Sequence, residues 1–126
     1  MSTILVLEDY LPMHSLIRAI FEPLGFQVVA VQSGEEGLAA ARSLRPALVM
    51  ADLRMPGMNM DGFRAIAAMR LDPDLKHTPI IAFSALSTAD YVRQAYDAGC
   101  DVFLAKPFAA HQLLQTAQRL LGVVAV

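Results

Sequence analysis

The sequence predicts a three-layer α/β fold in which one five-stranded parallel sheet carries helices on both faces. Three observations predict it. Five short apolar runs recur along the chain, helix-length segments with apolar positions three and four apart separate them, and the runs are apolar throughout instead of alternating. Alternation of strand and helix gives parallel pairing through crossovers, and a strand without a polar side has both faces covered.

The first strand is read at Thr3–Leu7, the second at Gln27–Val31 and the third at residues 47–51. The fourth spans 79–83 and the fifth 102–104. Pro46 and Pro79 stand just before or at strand starts, where a missing N–H is tolerated. The first helix shows the clearest stripe, Met13, Leu16, Ile17, Ile20 and Leu24. The second opens with Ser33-Gly34-Glu35-Glu36, a capping box in which Ser33 and Glu36 satisfy each other's backbone donors. Asp61-Gly62 leads into the third helix and Ser87-Thr88-Ala89-Asp90 into the fourth. The fifth starts near Ala109 and stops at Gly122.

Composition narrows the function. At 126 residues the chain is one domain, long enough to bury roughly two thirds of its unfolded surface without covalent staples. It is 56% hydrophobic and 17% charged with a net charge of −2, so some exposed surface is apolar, and no basic stripe argues for direct nucleic-acid binding. The single cysteine, Cys100, excludes an internal disulfide and fits a reducing compartment. No apolar run approaches the ~18 residues of a membrane span, and no basic-then-apolar segment opens the chain. The default expectation is a cytoplasmic domain without membrane insertion.

Right-handed crossovers put all five strand C-termini on one edge of the sheet, and ligands of such sheets sit outside that edge. Four of the five ends carry chemistry. The first strand runs into Glu8-Asp9, the third into Asp52, the fourth into Ser84, and the fifth is followed by Lys106-Pro107. Singly, each has a plain reading as a turn former or cap; together on one edge they form a pattern that a random surface rarely produces. Two carboxylates ~5 Å apart repel by roughly 3 kcal/mol at an effective dielectric near 20, about two pKa units. Such a cluster holds either a proton or a cation, and oxygen ligands suit Mg²⁺. A divalent ion, a lysine and a hydroxyl around an aspartate suit a transferred phosphoryl group.

With these residues in place, the sequence resembles the receiver domains of two-component response regulators, the chemotaxis-regulator-like kind, over essentially the whole chain. The motifs are "ILVLED", "MADLRMPG...DG", "IIAFSA" and "FLAKPF", with Asp52 lying 43 residues after Asp9 and Lys106 22 after Ser84. The resemblance implies a flavodoxin-like sheet of strand order 2-1-3-4-5, with the receiver domain at residues 1–122 and an apolar tail at 123–126. It implies that Asp52 is the phospho-acceptor. Asp9 is then the main acidic Mg²⁺ ligand, with Asp52 itself, Glu8 and the backbone carbonyl of Arg54 completing the protein's share. Lys106 pairs with Asp52 and then with the phosphoryl oxygens. Ser84 is the switch hydroxyl, Phe103 the aromatic that turns inward with it, and Pro107 follows a cis peptide that aims the lysine. The phosphodonor is a histidine kinase or a histidine phosphotransfer protein, docking near Leu11 to Ile17. Such a domain is not a turnover enzyme, although it assists its own phosphorylation and dephosphorylation. A downstream protein partner or output domain is unspecified, and a homodimer is compatible with the pattern.

Several plainer readings stand beside these. Phe103 is equally explained as core filling and Cys100 as a small buried residue. His14, His77 and His111 lack metal spacing, with His14 capping or facing solvent on the first helix. The cluster Met50, Met55, Met58 and Met60 is ordinary loop and core material. Gln112 and Thr116 occupy fifth-helix positions where a winged-helix transcription factor's dimer face would carry charges, so that class is disfavoured. The loop Met55-Pro56-Gly57-Met58-Asn59-Met60-Asp61-Gly62 carries two residues more than the family pattern, beside the phosphorylation site. Arg54 and Leu86, each two residues past a site residue, stand where the family tunes phosphoryl lifetime. A haloacid-dehalogenase-like phosphatase would need a second Asp where Arg54 stands. A flavin carrier would need a phosphate-cradling loop where Glu8-Asp9-Tyr10 would repel phosphate. The remaining alternative is a pseudo-receiver that serves as a phosphorylation-independent interaction module.

Overall fold

The computed structural model describes residues 2–55 and 60–122. The sheet is formed by β1 (Thr3–Leu7), β2 (Gln27–Val31), β3 (Leu48–Asp52), β4 (Ile80–Ser84) and β5 (Val102–Ala105). All pairings are parallel, in the order β2-β1-β3-β4-β5. The helices are α1 (Leu11–Phe21), α2 (Gly34–Leu44), α3 (Gly62–Leu71), α4 (Ala89–Ala98) and α5 (Ala110–Leu121). The tail at 123–126 lies outside the described residues.

Strand alternation sorts the core into two halves. Leu5, Leu7, Val49, Ala51, Ile80 and Ala82 pack with Ala41 of α2, Ala65, Ile66 and Met69 of α3, and Ala95 of α4. Ile4, Val6, Val28, Leu48, Met50, Ile81, Phe83 and Leu104 pack on the opposite face with Ile17 and Phe21 of α1 and Leu113 and Ala117 of α5. Both faces are therefore dry, which is why the strands read as unbroken apolar runs.

Local chemistry sets most element ends. Ser33 Oγ accepts the Glu36 N–H at 3.1 Å, as the capping box predicts. The return bond differs: the Glu36 carboxylate accepts the Ser33 hydroxyl at 3.2 Å. Asp61 and Thr88 cap α3 and α4 through the N–H groups of Arg64 and Tyr91. β3 and β4 begin and end one residue later than predicted, because the ladder starts after Ala47 and Pro79 and runs on through Asp52 and Ser84. The first helix ends at Phe21, and a 3₁₀ turn, Glu22–Leu24, with Pro23 in it carries the chain to Gly25 at φ 94°. Leu24, read as part of the stripe, is exposed.

Two surface readings need correction. Thr116 is buried and its hydroxyl donates to the Gln112 carbonyl at 2.8 Å. It lies in phase with Leu113 and Ala117, so it never faced a dimer partner. His14 is half-buried with Nε2 2.6 Å from the Glu8 carbonyl oxygen, tying α1 to the end of β1 and not to solvent.

The two edge strands each have one outward backbone group capped by a side chain. Arg18 donates to the Val28 carbonyl of β2 at 2.7 Å, and the Tyr96 hydroxyl accepts the Phe103 N–H of β5 at 3.1 Å. Unpaired edge groups invite pairing with another chain, and capping them removes that template.

Candidate functional site

The strand ends converge as their alternation dictates. Glu8, Asp52 and Lys106 continue the α1/α5 side of β1, β3 and β5, whereas Ser84 and Phe103 continue the α3/α4 side. The site therefore straddles the sheet edge. Glu8, Asp9 and Asp52 bring carboxylate oxygens within 4.8 Å of one another, the only such group of three among the described residues. Glu8 is fully buried, Asp52 nearly so, and Asp9 is exposed at the mouth.

Lys106 closes the cluster. Its Nζ lies 2.7 Å from Glu8 Oε1 and 2.9 Å from Asp52 Oδ2, and 5.1 Å above the Phe83 ring. The Lys106–Pro107 peptide is cis. The remaining carboxylate oxygens are also oriented. Glu8 Oε2 accepts the Asp9 N–H and Asp52 Oδ1 accepts the Arg54 N–H, each at 3.0 Å. The latter bond ties the Arg54 backbone, whose carbonyl the family resemblance implies as a metal ligand, to the Asp52 carboxylate.

Burial pushes the Glu8 carboxyl up to about 7, and its hydrogen bond and charge interaction with Asp52 push the same way against Lys106. Lys106 is itself raised: burial pulls it down, but the hydrogen bonds to Glu8 and Asp52 outweigh that. The lysine is thus held charged between two acids.

Gly62 explains how α3 reaches this point. A Cβ there would meet the Asp52 carbonyl oxygen at 2.2 Å and Leu53 Cα at 2.8 Å, so only glycine lets the helix start against the end of β3. Four residues of the longer loop, 56–59, lie outside the described residues, so its two-residue excess has no structural description here.

Ser84 is buried, and its Oγ accepts the Leu86 N–H at 3.1 Å. Phe103 is half-buried against the α2/α3/α4 core, in register with Ala82. Cys100 is a small core residue whose thiol burial pushes up to about 11, which suits packing and not reactivity. Two tyrosines escaped the sequence reading. Tyr91 packs edge-on against Phe63 of α3, with ring centroids 5.0 Å apart, and the Tyr96 hydroxyl accepts the Phe103 N–H at 3.1 Å. Helical periodicity marks Tyr91 only as a core contact, and nothing in the sequence flags Tyr96.

A doubly wound 2-1-3-4-5 sheet with acids, a hydroxyl and a lysine at its carboxyl edge defines a phosphoryl-signalling class of domain, and comparison with known proteins agrees. The response regulator receiver domain family matches residues 4–118. The chain belongs to that family. It is similar to the polar-differentiation response regulator DivK of Brucella anthropi, 26% identical over 95% of this chain and 96% of that protein. Among solved structures it resembles the receiver domain of the sensor histidine kinase PA1611 from Pseudomonas aeruginosa, which holds a magnesium ion in its active site cleft. That match has a TM-score of 0.86 and 30% identity, over 96% of this chain and 98% of the other. The Vibrio cholerae chemotaxis protein CheY4 matches with a TM-score of 0.87 and 28% identity, over 95% and 98% of the two chains. This chain is therefore a receiver domain of two-component signalling. No helix among the described residues is long and apolar enough to cross a membrane.

Proposed function

We propose that this receiver takes a phosphoryl group onto Asp52 from a histidine kinase or a histidine phosphotransfer protein in the cytoplasm. The observation that carries this reading is the Lys106 ammonium bridging Asp52 and Glu8 beside Asp9. The donor set is all hard oxygen, which fits Mg²⁺, and each carboxylate oxygen keeps a lone pair beyond its present hydrogen bond. Asp9, Asp52 and the Arg54 carbonyl would hold the ion, with Glu8 behind them. When bound, it neutralises charge on the phosphoryl oxygens.

The chain's own residues do the rest. An Asp52 carboxylate oxygen attacks phosphorus, a P–O bond forms as the donor's P–N bond breaks, and the histidine leaves with the electron pair. Lys106 then turns its charge from Asp52 toward the phosphoryl oxygens, and Ser84 donates its hydroxyl to them while Phe103 shifts inward. Water then hydrolyses the acyl phosphate, releasing inorganic phosphate and restoring the Asp52 carboxylate, with the same groups assisting. The donor's docking surface is the apolar groove of about 460 Å³ lined by Tyr10, Met13, Leu16, Ala85, Lys106, Pro107 and Phe108. Tyr10 and Leu16 are exposed there, and Leu11, the first residue of α1, is exposed as well, where a helix bundle would cover them.

Intact mass after exposure to acetyl phosphate tests the reading. One phosphoryl adduct is expected with Mg²⁺, and none with chelator or in Asp52→Asn. An adduct that survives Asp52→Asn overturns the acceptor assignment. No adduct, together with no Mg²⁺ binding, leaves a phosphorylation-independent interaction module.

A further inference from the structure

Lys106 reaches Asp52 across an intervening strand. In the order β3-β4-β5 the gap from β5 to β3 is two strand spacings, about 10 Å. The residue of β4 that fills this gap is Phe83, in register with Asp52 on one side and Leu104 on the other. It points to the α1/α5 face, as Leu104 does, and is fully buried. The Lys106 side chain therefore passes over its ring, and Nζ stands 5.1 Å above the centroid. Phe108 meets the same ring edge-on, with centroids 5.9 Å apart at 69°, and fixes its plane. Along the carboxyl edge the order is then Glu8, Asp52, Phe83 and Lys106, as the order of β1, β3, β4 and β5 dictates.

We propose that Phe83 is a positioning residue that holds the Lys106 ammonium on the Asp52 side of Glu8. The inference rests on Lys106 serving a phosphoryl group on Asp52. Packing alone asks only for an apolar side chain at this point. An aromatic one adds a negative face, which attracts a cation within about 6 Å of the centroid. Glu8, fully buried, and Phe83 pull the ammonium in opposite directions along the edge, and Asp52 lies between them. The ammonium has three N–H donors, of which the two acids occupy two. To reach a group on Asp52 it gives up Glu8 and draws nearer the ring. An interaction stronger in one arrangement than in the other shifts the balance toward the first. Without the ring's negative face, Lys106 settles toward Glu8 and serves Asp52 less.

Fluorine drains negative charge from the face of a phenyl ring with little change in its size, so a fluorinated series separates attraction from packing. Position 83 would carry phenylalanine or its mono-, di- and trifluoro derivatives, with Phe83→Leu as the end point. Without metal, the Lys106 ε-methylene protons should resonate upfield of those of the exposed Lys76, because they lie over the ring. That displacement should shrink step by step along the series and vanish in Phe83→Leu. With saturating Mg²⁺, beryllofluoride, a mimic of the phosphoryl group, should bind about two- to fivefold less tightly by the trifluoro step. This is the span of a cation–π contact that keeps some access to water. A displacement equal in all the derivatives shows a ring that packs without attracting, and overturns the proposal. Beryllofluoride affinity that ignores the series overturns the positioning role even where the displacement follows it. Failure of the wild type to bind beryllofluoride, with no adduct from acetyl phosphate, overturns the phospho-receiver reading instead; the proton displacement then decides the ring contact alone.

Discussion

Lys106 and Asp52 stand 54 positions apart in sequence, yet Nζ lies 2.9 Å from Oδ2, and the same ammonium holds Glu8 at 2.7 Å. One cation thus serves two acids that burial would otherwise leave to repel. Breaking a buried pair leaves the partner charge uncompensated, and the cost is about 3–5 kcal/mol when desolvation is complete. Lys106 keeps partial solvent access, so Lys106→Ala should cost less, about 1–3 kcal/mol at pH 8. The same variant should still accept a phosphoryl group on Asp52 but fail to pass the signal on. Intact mass would show the adduct while the amide spectrum of Ser84 and Phe103 stays unmoved by it.

Glu8 makes stability depend on pH in a definite direction. Its folded-state value of about 7 exceeds the ordinary 4.5, so between these values the folded chain binds more protons than the unfolded one. Stability without metal should therefore fall as pH rises from about 4.5 to 7, by at most about 3 kcal/mol for this one group. Lys106, raised further from an already basic value, stays charged across that window. Glu8→Gln should flatten the slope, read as the denaturation midpoint without Mg²⁺ at pH 5, 6, 7 and 8. A wild-type midpoint that rises through this window in step with the variant's would rule the assignment out.

Gly62 offers a sharper steric test. The Asp52 carbonyl oxygen stands 2.2 Å from where a Cβ would be, and both are backbone-anchored, so neither can swing aside. Gly62→Ala should gain a few tenths to ~1 kcal/mol from unfolded-state entropy and lose more to the clash, since overpacking costs typically 1–3 kcal/mol. A net loss of about 1–2 kcal/mol and weaker Mg²⁺ binding are expected together, because the shift moves the end of β3. Urea unfolding and a metal titration on the same sample would show whether the two effects travel as one.

Much of this was legible in sequence for a simple reason. The sheet's elements are short and locally encoded, with apolar runs for strands, Ser33, Asp61 and Thr88 as caps, and Gly122 as a stop. A parallel sheet also sends every strand end to one edge, so Glu8, Asp9, Asp52, Ser84 and Lys106 could be gathered without coordinates. What escaped lies in contacts between distant residues or in helix phase. Thr116 was placed outward although Leu113 and Ala117 give its phase. Tyr96 belongs to the site only because α4 packs beside β5, and Arg18 caps Val28 because β2 is an edge. No local pattern encodes those meetings.

Arg70 shows the same principle at the opposite end of the sheet. Its guanidinium donates to the Gly99, Leu75, Lys76 and Thr78 carbonyls at 2.8, 3.1, 3.3 and 2.7 Å, and to Asp101 Oδ2 at 2.9 Å. Asp101 Oδ2 in turn accepts the Ile80 N–H at 2.8 Å. One side chain thus clips the end of α3, the loop into β4 and the turn into β5. Gly99, at φ 120°, leaves it room, since a Cβ there would meet Arg70 Cγ at 2.5 Å. Arg70→Ala strands several backbone acceptors and one carboxylate, and each buried group left unpaired costs about 1–3 kcal/mol. Water can reach part of this cluster, so a total loss of about 2–4 kcal/mol is expected. Arg70→Lys should recover less than half, because an ammonium cannot reproduce the planar fork. Mg²⁺ affinity should not change in either variant, the clip lying at the amino-terminal edge of the sheet. Urea midpoints at unchanged m-value would show a pure stability effect; an Arg70→Ala midpoint equal to wild type would mean that water replaces the fork at no cost.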